Sequence, residues 1–575
     1  MPCAVTQTCD EAGRACVAVD CSDPDRDLDG ADSHLCAGQD CDDDDSNRYP
    51  GNREVCDAEG HDEDCLADTF AGPEGDLDGD GEVSAMCCNG DACGSDCDDT
   101  NPLVNSAARE VCNGIDDDCS GAADDTTGTT SLCPGGVCTA GRCSFSAWAR
   151  IMGGGGNDIA RAVTTDALGN VYVTGSFVDG VDFGRGPTSN AVLASYTADG
   201  TLRWILQSTG SGEARGFDLA VDSTDGALYL LGGSAGEVRF GTTAVDPGGF
   251  LARFDERGDI SWIVGLPSLQ GGLYRPGSVQ ASAGAVVVAS GFGDAPFDFG
   301  DGEGTRTPRG PIDGYIASFS AAGSPSWVRV YAAPGAFVRL SDVSIDRDGN
   351  VYATGGYSGT VDVGLGPQTA IGAAIVVLSL NPAGRDRWVA VFDSAGFDGA
   401  EAIAVGSDAL FVTGAIGGSV DFGGGAVATS RRTGYLLALE LDGAYRWERI
   451  LRGFPSDADG EAEPSDVAVM EGGRVWVIGE FSRTVNFGGG GVMSFVVPGD
   501  DVSSRDIFVS RYGDDGLHLR DRPFRADLAQ RPWAIAEGPG GAVTMVGSFH
   551  GSVDFGSGTY VSSGGQWGFV ARIVD

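Results

Sequence analysis

The sequence predicts a mainly all-β protein: a seven-bladed β-propeller preceded by a small disulfide-rich, calcium-loop domain with little regular secondary structure. Three observations predict it. All seventeen cysteines lie between Cys3 and Cys143, an acidic unit recurs inside that segment, and from Phe145 onward a different unit of about 60 residues recurs seven times.

Charge follows the same seam. Residues 1–143 hold 35 Asp plus Glu against 6 Arg, a net charge of −29 out of −48 for the whole chain, and there is no Lys. Nucleic acid and anionic lipid both need a basic face, so this balance excludes them as partners and favours divalent cations. No run of about 18 apolar residues occurs, so no membrane-spanning segment is expected.

A cysteine content of about 12% in the first 143 residues is what small domains use when they cannot bury enough apolar surface. Structural zinc is the competing use, but it wants short Cys-x-x-Cys pairs with His, and here the spacings are irregular with only His34 and His61 available. Disulfides persist in oxidising compartments, which places the chain outside the cell or on its outer surface. Met1, Pro2 and Cys3 lead straight into polar sequence, so an export signal is expected to lie outside this chain. The odd cysteine count fits a partner lost upstream, or one free thiol.

The acidic part, residues 23–125, is a tandem repeat of 23–68 and 75–125. Asp40, Cys41, Asp42, Asp43 fall on Asp96, Cys97, Asp98, Asp99 at an offset of 56 residues, and Glu54, Val55, Cys56 fall on Glu110, Val111, Cys112 at the same offset. Each copy opens with a DxDxDG loop, Asp25, Asp27, Asp29, Gly30 and Asp76, Asp78, Asp80, Gly81. Alternate residues of a tight loop point to one centre, so carboxylates at positions 1, 3 and 5 converge on a hard cation, and Gly at 6 permits the turn. Ser33 and Ser84 stand at position 9, where a ligand often acts through water. Position 12, where a bidentate Glu closes such loops, holds Cys36 and Cys87. The expectation is a loop closed by a disulfide, with the missing carboxylate supplied by the DCDD segment. A second acid set precedes the last cysteine of each copy: Asp62 and Asp64 before Cys65, and Asp116, Asp117, Asp118 before Cys119. Two to four Ca2+ ions are expected. The bland alternative, a solvated acidic linker, does not explain acids at fixed offsets from cysteines in both copies.

The order DxDxDG, DCDD, Pro, EVC and then CNGIDDDC resembles the MopE-type metal-binding repeat of secreted proteins from myxobacteria and related bacteria, named after a copper-binding surface protein. The resemblance covers about Asp23 to Asp125. Its first copy departs from the pattern, with Asp57, Ala58, Glu59, Gly60 and His61 where the second has Asn113, Gly114, Ile115. The resemblance implies metal binding; copper would need soft or imidazole ligands, and this segment has two histidines.

Two cysteine triplets flank the repeats: Cys3, Cys9 and Cys16 in the N-terminal segment 1–22, and Cys133, Cys138 and Cys143 in the linker 126–144. Each reads as a small disulfide-knotted turn. Cys93 is a further disulfide candidate inside the second copy, and the joint from Asp124 to Thr130 need not be ordered.

From Phe145 the repeat has a fixed internal order. In its clearest copy, ARAVTTD, VYVTGSF, a DFG corner, AVLASYTADG and LRWIL make four short strands with hairpin turns, the content of one propeller blade. The corner recurs at Phe183, Phe240, Phe299, Val363, Phe422, Phe487 and Phe555. A closing Trp recurs at Trp204, Trp262, Trp327, Trp388 and Trp447; the sixth copy has LHLRDRPF instead, and the seventh lacks its fourth strand. Residues 146–152, SAWARIM, match that missing strand but precede the first copy. The propeller, 145–575, is therefore expected to be closed by strand 146–152, leaving no open edge and putting the acidic module at the ring junction. These repeats resemble the bacterial propeller repeats of the GNVYVTGSF/DFG type found in secreted proteins, a resemblance that implies fold more than function.

The recurring Asp of the corner (Asp182, Asp298, Asp362, Asp421, Asp554) becomes Arg239 and Asn486 in two copies and reads as structural, as does the Trp. Arg257, Gly258, Asp259 spell an adhesion-like tripeptide, but in a hairpin turn where Gly and Asp are expected. His518 and His550 stand alone, and no Ser, His and Asp set stands out as a triad. The reading is a secreted or cell-surface calcium-binding protein whose propeller binds an extracellular protein or glycan, without catalysis. Two alternatives stay open: a propeller lyase or hydrolase acting on polysaccharide, and a copper-scavenging surface protein. The sequence does not disclose an oligomeric state.

Overall fold

A computed structural model describes residues 7–10, 15–18, 21–56, 61–66, 75–89, 92–125, 136–139, 142–145, 147–154, 156–177, 180–188, 190–267, 277–293, 295–396, 398–453, 460–470, 472–494, 505–526 and 528–573. Cys3, Cys133 and most of the joint at 124–130 lie outside the described residues. The chain forms two compact units that part between Ser144 and Phe145.

In the first unit the described residues contain no α-helix, only short hairpins and one 3-10 turn, His34–Cys36. Its buried apolar side chains are Cys87, Cys88 and Val104, while Leu28, Leu77 and Leu103 are exposed. So little burial, at roughly 25 cal/mol per Å², cannot offset chain entropy; covalent bridges must replace it. Six disulfides do so among the described residues, and they differ from simple knots. Cys41–Cys65 and Cys97–Cys119 lie within the copies, whereas Cys56–Cys87 joins the first copy to the second. Cys21–Cys36 closes the first acidic loop on itself, and Cys112–Cys138 ties the second copy to the hairpin Gly136–Thr139 and Arg142–Phe145. The second triplet is therefore not a self-contained knot, because Cys138 pairs outside it. In the first triplet, Cys9 and Cys16 lie opposite each other in the hairpin Gln7–Asp10 and Ala15–Ala18. Cys143 lies on Arg142–Phe145.

The sixth bridge, Cys88–Cys93, explains an irregularity of the repeat. The loops repeat at 51 residues but DCDD at 56. The second copy carries five extra residues there, folded into the hairpin Cys88–Asn89 and Ala92–Cys93 and locked by its own disulfide.

The second unit is a seven-bladed propeller of four-stranded antiparallel sheets. Blade 1 comprises Ile159–Thr165, Val171–Ser176, Ala191–Tyr196 and Leu202–Thr209, and blades 2 to 6 repeat that order. The first strands, Ile159–Thr165, Glu213–Val221, Gly277–Ser282, Phe337–Ile345, Gly399–Val405, Glu461–Met470 and Gln530–Gly538, pack each against the next in an unbroken cycle. They surround the axis. Second strands are sandwiched between neighbouring blades: Val171–Ser176, Ala409–Ile416 and Ala542–Phe549 are buried at every residue. Burial on both faces is why VYVTGS reads as a continuous run instead of alternating. Seven apolar clusters, one per blade interface, form the core.

Blade 7 is assembled from both ends of the unit. Trp148–Met152 pairs antiparallel with Trp567–Ile573, Met152 opposite Gly568 and Trp148 opposite Arg572, beside Ala542–Phe549 and Gln530–Gly538. The ring thus has no unpaired fourth-strand gap.

Each recurring Trp latches the following blade. The indole N–H groups of Trp148, Trp204, Trp262, Trp327, Trp388 and Trp447 donate to the carbonyls of Ala198, Glu256, Ala321, Pro382, Leu441 and Asp514. These carbonyls lie in the hairpin between the third and fourth strands of the next blade. That hairpin's glycine, such as Gly200 or Gly443, has a left-handed φ of 81° or 89° and lies under the ring. The tripeptide at Arg257 is one of these hairpins, held by Trp204. Blade 6 has Asp521 opposite Ser510 where blade 4 has Trp388 opposite Ser379. The reason is local: blade 7 takes its fourth strand from ahead of blade 1, so it has no such hairpin to latch. The corner acids act as expected of structure, Asp182 Oδ1 accepting from Gly184 and Gly186 at 2.7 and 2.9 Å, and Asn486 doing the same for Gly488 and Gly490.

Candidate metal centres

The two acidic loops share their turn bonds at the second and third aspartates, and in the second copy Asp76 also accepts from the Gly79 and Gly81 N–H groups at 2.7 and 3.2 Å. In the first copy the Ala31 N–H donates to Asp29 Oδ1 at 2.7 Å and the Asp29 N–H to Asp27 Oδ1 at 3.3 Å. In the second, Glu82 donates to Asp80 Oδ1 at 2.8 Å and Asp80 to Asp78 Oδ1 at 3.2 Å. Gly30 and Gly81 sit at φ 98° and 97°, a conformation that an L side chain resists. These bonds hold one oxygen each of Asp27, Asp29 and Asp78 and leave the other without a hydrogen-bond partner, whereas Asp80 gives its second oxygen to Asn105. Ligand oxygens of Asp25, Asp27 and Asp29 lie within 4.8 Å of one another, as do those of Asp76, Asp78 and Asp80.

The DCDD segment lies against the loop in both copies. Ser33 bridges Asp40, and Ser84 bridges Asp96, through short parallel backbone pairings. Asp43 Oδ1 accepts from the Arg26 N–H at 3.0 Å, and Asp99 Oδ1 from the Leu77 N–H at 2.8 Å. Asp40 and Asp96 are buried, at 0% and 1% exposure, with Oδ1 taken by the N–H of Asp42 and Asp98. Their Oδ2 atoms have no hydrogen-bond partner, and neither do Asp25 Oδ1, Asp27 Oδ2, Asp29 Oδ2 and Asp78 Oδ2.

Six buried, unpartnered carboxylate oxygens are costly unless a cation compensates them. Burial, followed by repulsion from Asp29, Asp43 and Asp42, raises the Asp40 pKa; for Asp96 the causes are burial and then Asp78, Asp80 and Asp99. Asp27 and Asp78 are raised by burial and by their loop neighbours. Each loop and its DCDD acid thus repel one another as one cluster of carboxylates.

Other expected ligands have different work. Asp42 pairs with Arg48 at 2.8 Å, and Asp98 accepts from the Thr100 hydroxyl at 2.7 Å. The Ser33 and Ser84 backbone N–H groups close their loops onto the Pro24 and Gly75 carbonyls at 2.7 and 2.8 Å, and the Ser84 hydroxyl accepts from the Met86 N–H. Asn105, which the sequence did not single out, donates to Asp80 Oδ2 at 2.6 Å.

The second acid set also gathers, around a residue that sequence reasoning passed over. Glu54 is buried, and its oxygen comes together with those of Asp62 and Asp64 within 4.8 Å. Glu54 Oε1 accepts from the Asp64 N–H at 2.8 Å; Glu110 Oε1 accepts from the Asp118 N–H at 3.0 Å. The recurrence of the EVC triplet was the available signal. Cys41 and Cys65, beside these acids, are joined to each other and offer no thiolate.

In the propeller, three acids converge that sequence reasoning also missed. Asp218, Asp342 and Asp466 occupy one position of the first strands of blades 2, 4 and 6, where the other blades have Ala162, Ser278, Ala402 and Ala534. Each staples its blade to the next: Oδ2 accepts from Val279, Ile403 and Ile535 respectively, each at 2.8 Å. Burial, then the Asp342 carboxylate, pushes Asp218 up to about 6, and the same causes hold Asp466 well above the carboxylate range. At one mouth of the ring axis, turns of six blades line a cavity of about 680 Å³, with Asp166, Ser223, Asp346, Arg347, Gly472 and Glu537 among them.

With this geometry in place, comparison with known families shows two matches. The Cu-binding MopE family of metal-binding motifs matches residues 40–66 and 96–125, and the family described as beta-propeller repeat matches 147–176. The chain is thus a seven-bladed propeller protein carrying two metal-binding motifs. No curated protein matches it. Similar solved structures include the WD40 propeller domain of Doa1, at 11% identity and TM-score 0.37, covering 74% of this chain and 97% of that one. Another is a protein of unknown function from Dyadobacter fermentans DSM 18053, at 14% identity and TM-score 0.31, covering 60% and 94%. Likeness at this level says nothing about ligands.

Proposed function

We propose that this is a secreted or cell-surface calcium-binding protein: its acidic repeats hold Ca2+ as structural ions, and its propeller presents a face to an extracellular protein or glycan without catalysis. The observation that carries the metal reading is the set of unpartnered buried oxygens on Asp25, Asp27, Asp29, Asp40, Asp78 and Asp96. An all-oxygen, all-carboxylate set suits a hard cation of flexible coordination. Copper would want thiolate or imidazole; Cys36, Cys41, Cys65, Cys87, Cys97 and Cys119 are in disulfides, and His34 Nδ1 faces the Asp40 backbone carbonyl at 3.1 Å. The dense disulfide framework supports an oxidising location.

For the propeller, the cavity at the axis mouth has the volume of a ligand site. The axial acids speak against catalysis, since Asp218, Asp342 and Asp466 spend their oxygens on backbone N–H groups. Titration calorimetry of the full chain tests the metal reading. Ca2+ binding that Asp40→Asn with Asp96→Asn weakens at least tenfold supports it; tight copper binding that survives excess Ca2+ would favour scavenging instead.

A further inference from the structure

We infer that the end of the propeller where the first strands begin carries a binding site for a carboxylate-bearing sugar, built on Arg531 and Arg161 stacked about Trp533. The inference rests on the glycan form of the proposed function, and it places the sugar at the end of the ring opposite the cavity that the last residues of those strands line.

The site is made of residues that the repeat does not dictate. In the six first strands whose bulge is described, the extra residue is Arg161, Phe217, Ser341, Glu401, Ser465 or Trp533, in blades 1, 2, 4, 5, 6 and 7 respectively. A bulge leaves that residue out of the ladder and re-aims its side chain, and such varied side chains show that the fold asks for none in particular. In blades 7 and 1 the two bulge side chains meet. The Arg161 guanidinium carbon lies 5.0 Å from the Trp533 ring centroid, and that of Arg531 lies 4.1 Å from it. Stacking on an indole fixes the plane of a guanidinium while its N–H edge still points outward. Arg505, near the same end of the ring, spends its charge on Glu461, Glu463 and Glu480 at 3.7, 3.3 and 2.8 Å. Arg531, by contrast, is exposed and pairs with no carboxylate among the described residues.

Blade 6 supplies acceptors beside it. Glu480 stands where blades 1, 2, 4, 5 and 7 have Ser176, Gly233, Gly356, Ala415 and Ser548, and Glu463 lies directly opposite it in the sheet. Like charges so placed destabilise a sheet, and no other described blade carries such a pair there. Burial raises Glu480 above its usual range, while the charges of Arg505 and then Arg531 oppose the shift. Arg531 is thus close enough to act on the glutamate of the neighbouring blade.

That chemistry selects the ligand. An unpaired guanidinium takes a carboxylate through two parallel N–H bonds, and glutamates accept from hydroxyls; an acidic sugar offers both groups. A protein partner would meet charges at the centre of its interface, where such interfaces are depleted of them. A dense polyanion is repelled by a chain of net charge −48, so the sugar is a terminal acidic unit on an otherwise neutral glycan.

Titration calorimetry of the full chain with a trisaccharide ending in glucuronate, with its methyl ester and with its neutral glucose counterpart tests this. The acid is expected to bind roughly tenfold or more tightly than either neutral form, the value of a charge-assisted bond. That comparison is made on the parent chain, so it holds whether or not a variant folds. Arg531→Gln should abolish the preference for the acid, Arg531→Lys should keep part of it without the planar fork, and Arg347→Gln at the opposite cavity should leave it unchanged. Equal binding of all three sugars overturns the inference and leaves the glycan reading standing, as does a preference lost in Arg347→Gln and kept in Arg531→Gln. Binding of none of the three overturns the inference and the glycan reading together.

Discussion

Arg572 and Trp148 lie opposite each other across the last blade, and both donate to one carbonyl, that of Ala198 in the first blade. The strand that closes the ring is therefore also the strand that latches it to its neighbour. Burial lowers the Arg572 pKa to about 10, so the guanidinium stays charged at any physiological pH.

Trp148→Ala removes the latch and the buried indole together. The expected loss is about 3–5 kcal/mol, the usual range for a core Trp, read as a lower urea midpoint of the propeller. Gly200→Ala should destabilise from the other side of the contact, because its Cβ would lie 2.6 Å from the Trp148 ring. An unchanged midpoint in both variants would show that the closure is not held there.

Restoring the recurring Trp in blade 6 should not help. Asp521→Trp places an indole where no hairpin of blade 7 can accept its N–H, and removes the Ser510 hydroxyl's bond to Asp521 at 2.8 Å. We expect a loss of roughly 1 kcal/mol or more; a gain in melting temperature would contradict the latch account.

The axial acids make the ring sensitive to pH. Asp218, at about 6 when folded against about 3.9 unfolded, binds its proton more tightly in the native state. Stability is therefore fully present below about pH 4 and is lost as pH rises through about 6. Melting of the propeller in EDTA should fall between pH 4.5 and 7, and the slope should flatten in Asp218→Asn with Asp466→Asn. A melt independent of pH across that range would count against the assignment.

Much of the ring was legible in the sequence, because a blade repeats and its glycines, corner acids and Trp recur at visible spacings. The offset strand at Trp148 was legible for the same reason. The axial acids were not: they alternate with Ala and Ser, so a period of one blade hides a pattern with a period of two. In the acidic unit the DxDxDG and DCDD acids could be read because carboxylates at fixed spacing have few other uses. Glu54 and Glu110 were passed over although their triplet recurs at the 56-residue offset, because a single Glu beside Val and Cys repeats no carboxylate within its own copy. Cys21 and Cys88 escaped too, because disulfide connectivity depends on three-dimensional approach and not on order.

The bridge from one copy to the next has its own consequence. Cys56→Ser with Cys87→Ser releases position 12 of the second loop, leaving Cys21–Cys36 around the first. Ca2+ affinity should fall at the second loop and hold at the first, seen as a split in a titration that is otherwise uniform. Equal weakening of both would show that the copies act as one body.

On the calcium reading, cations join the disulfides in standing in for a hydrophobic core in the first unit, while the propeller rests on its seven apolar clusters. Differential scanning calorimetry of the full chain, with Ca2+ and then with EDTA at constant pH, tests it most directly. Two transitions are expected, of which the one from the acidic unit moves down with EDTA and returns with added Ca2+, by the mass action of a ligand bound only to the folded form. A thermogram unchanged by EDTA would contradict it.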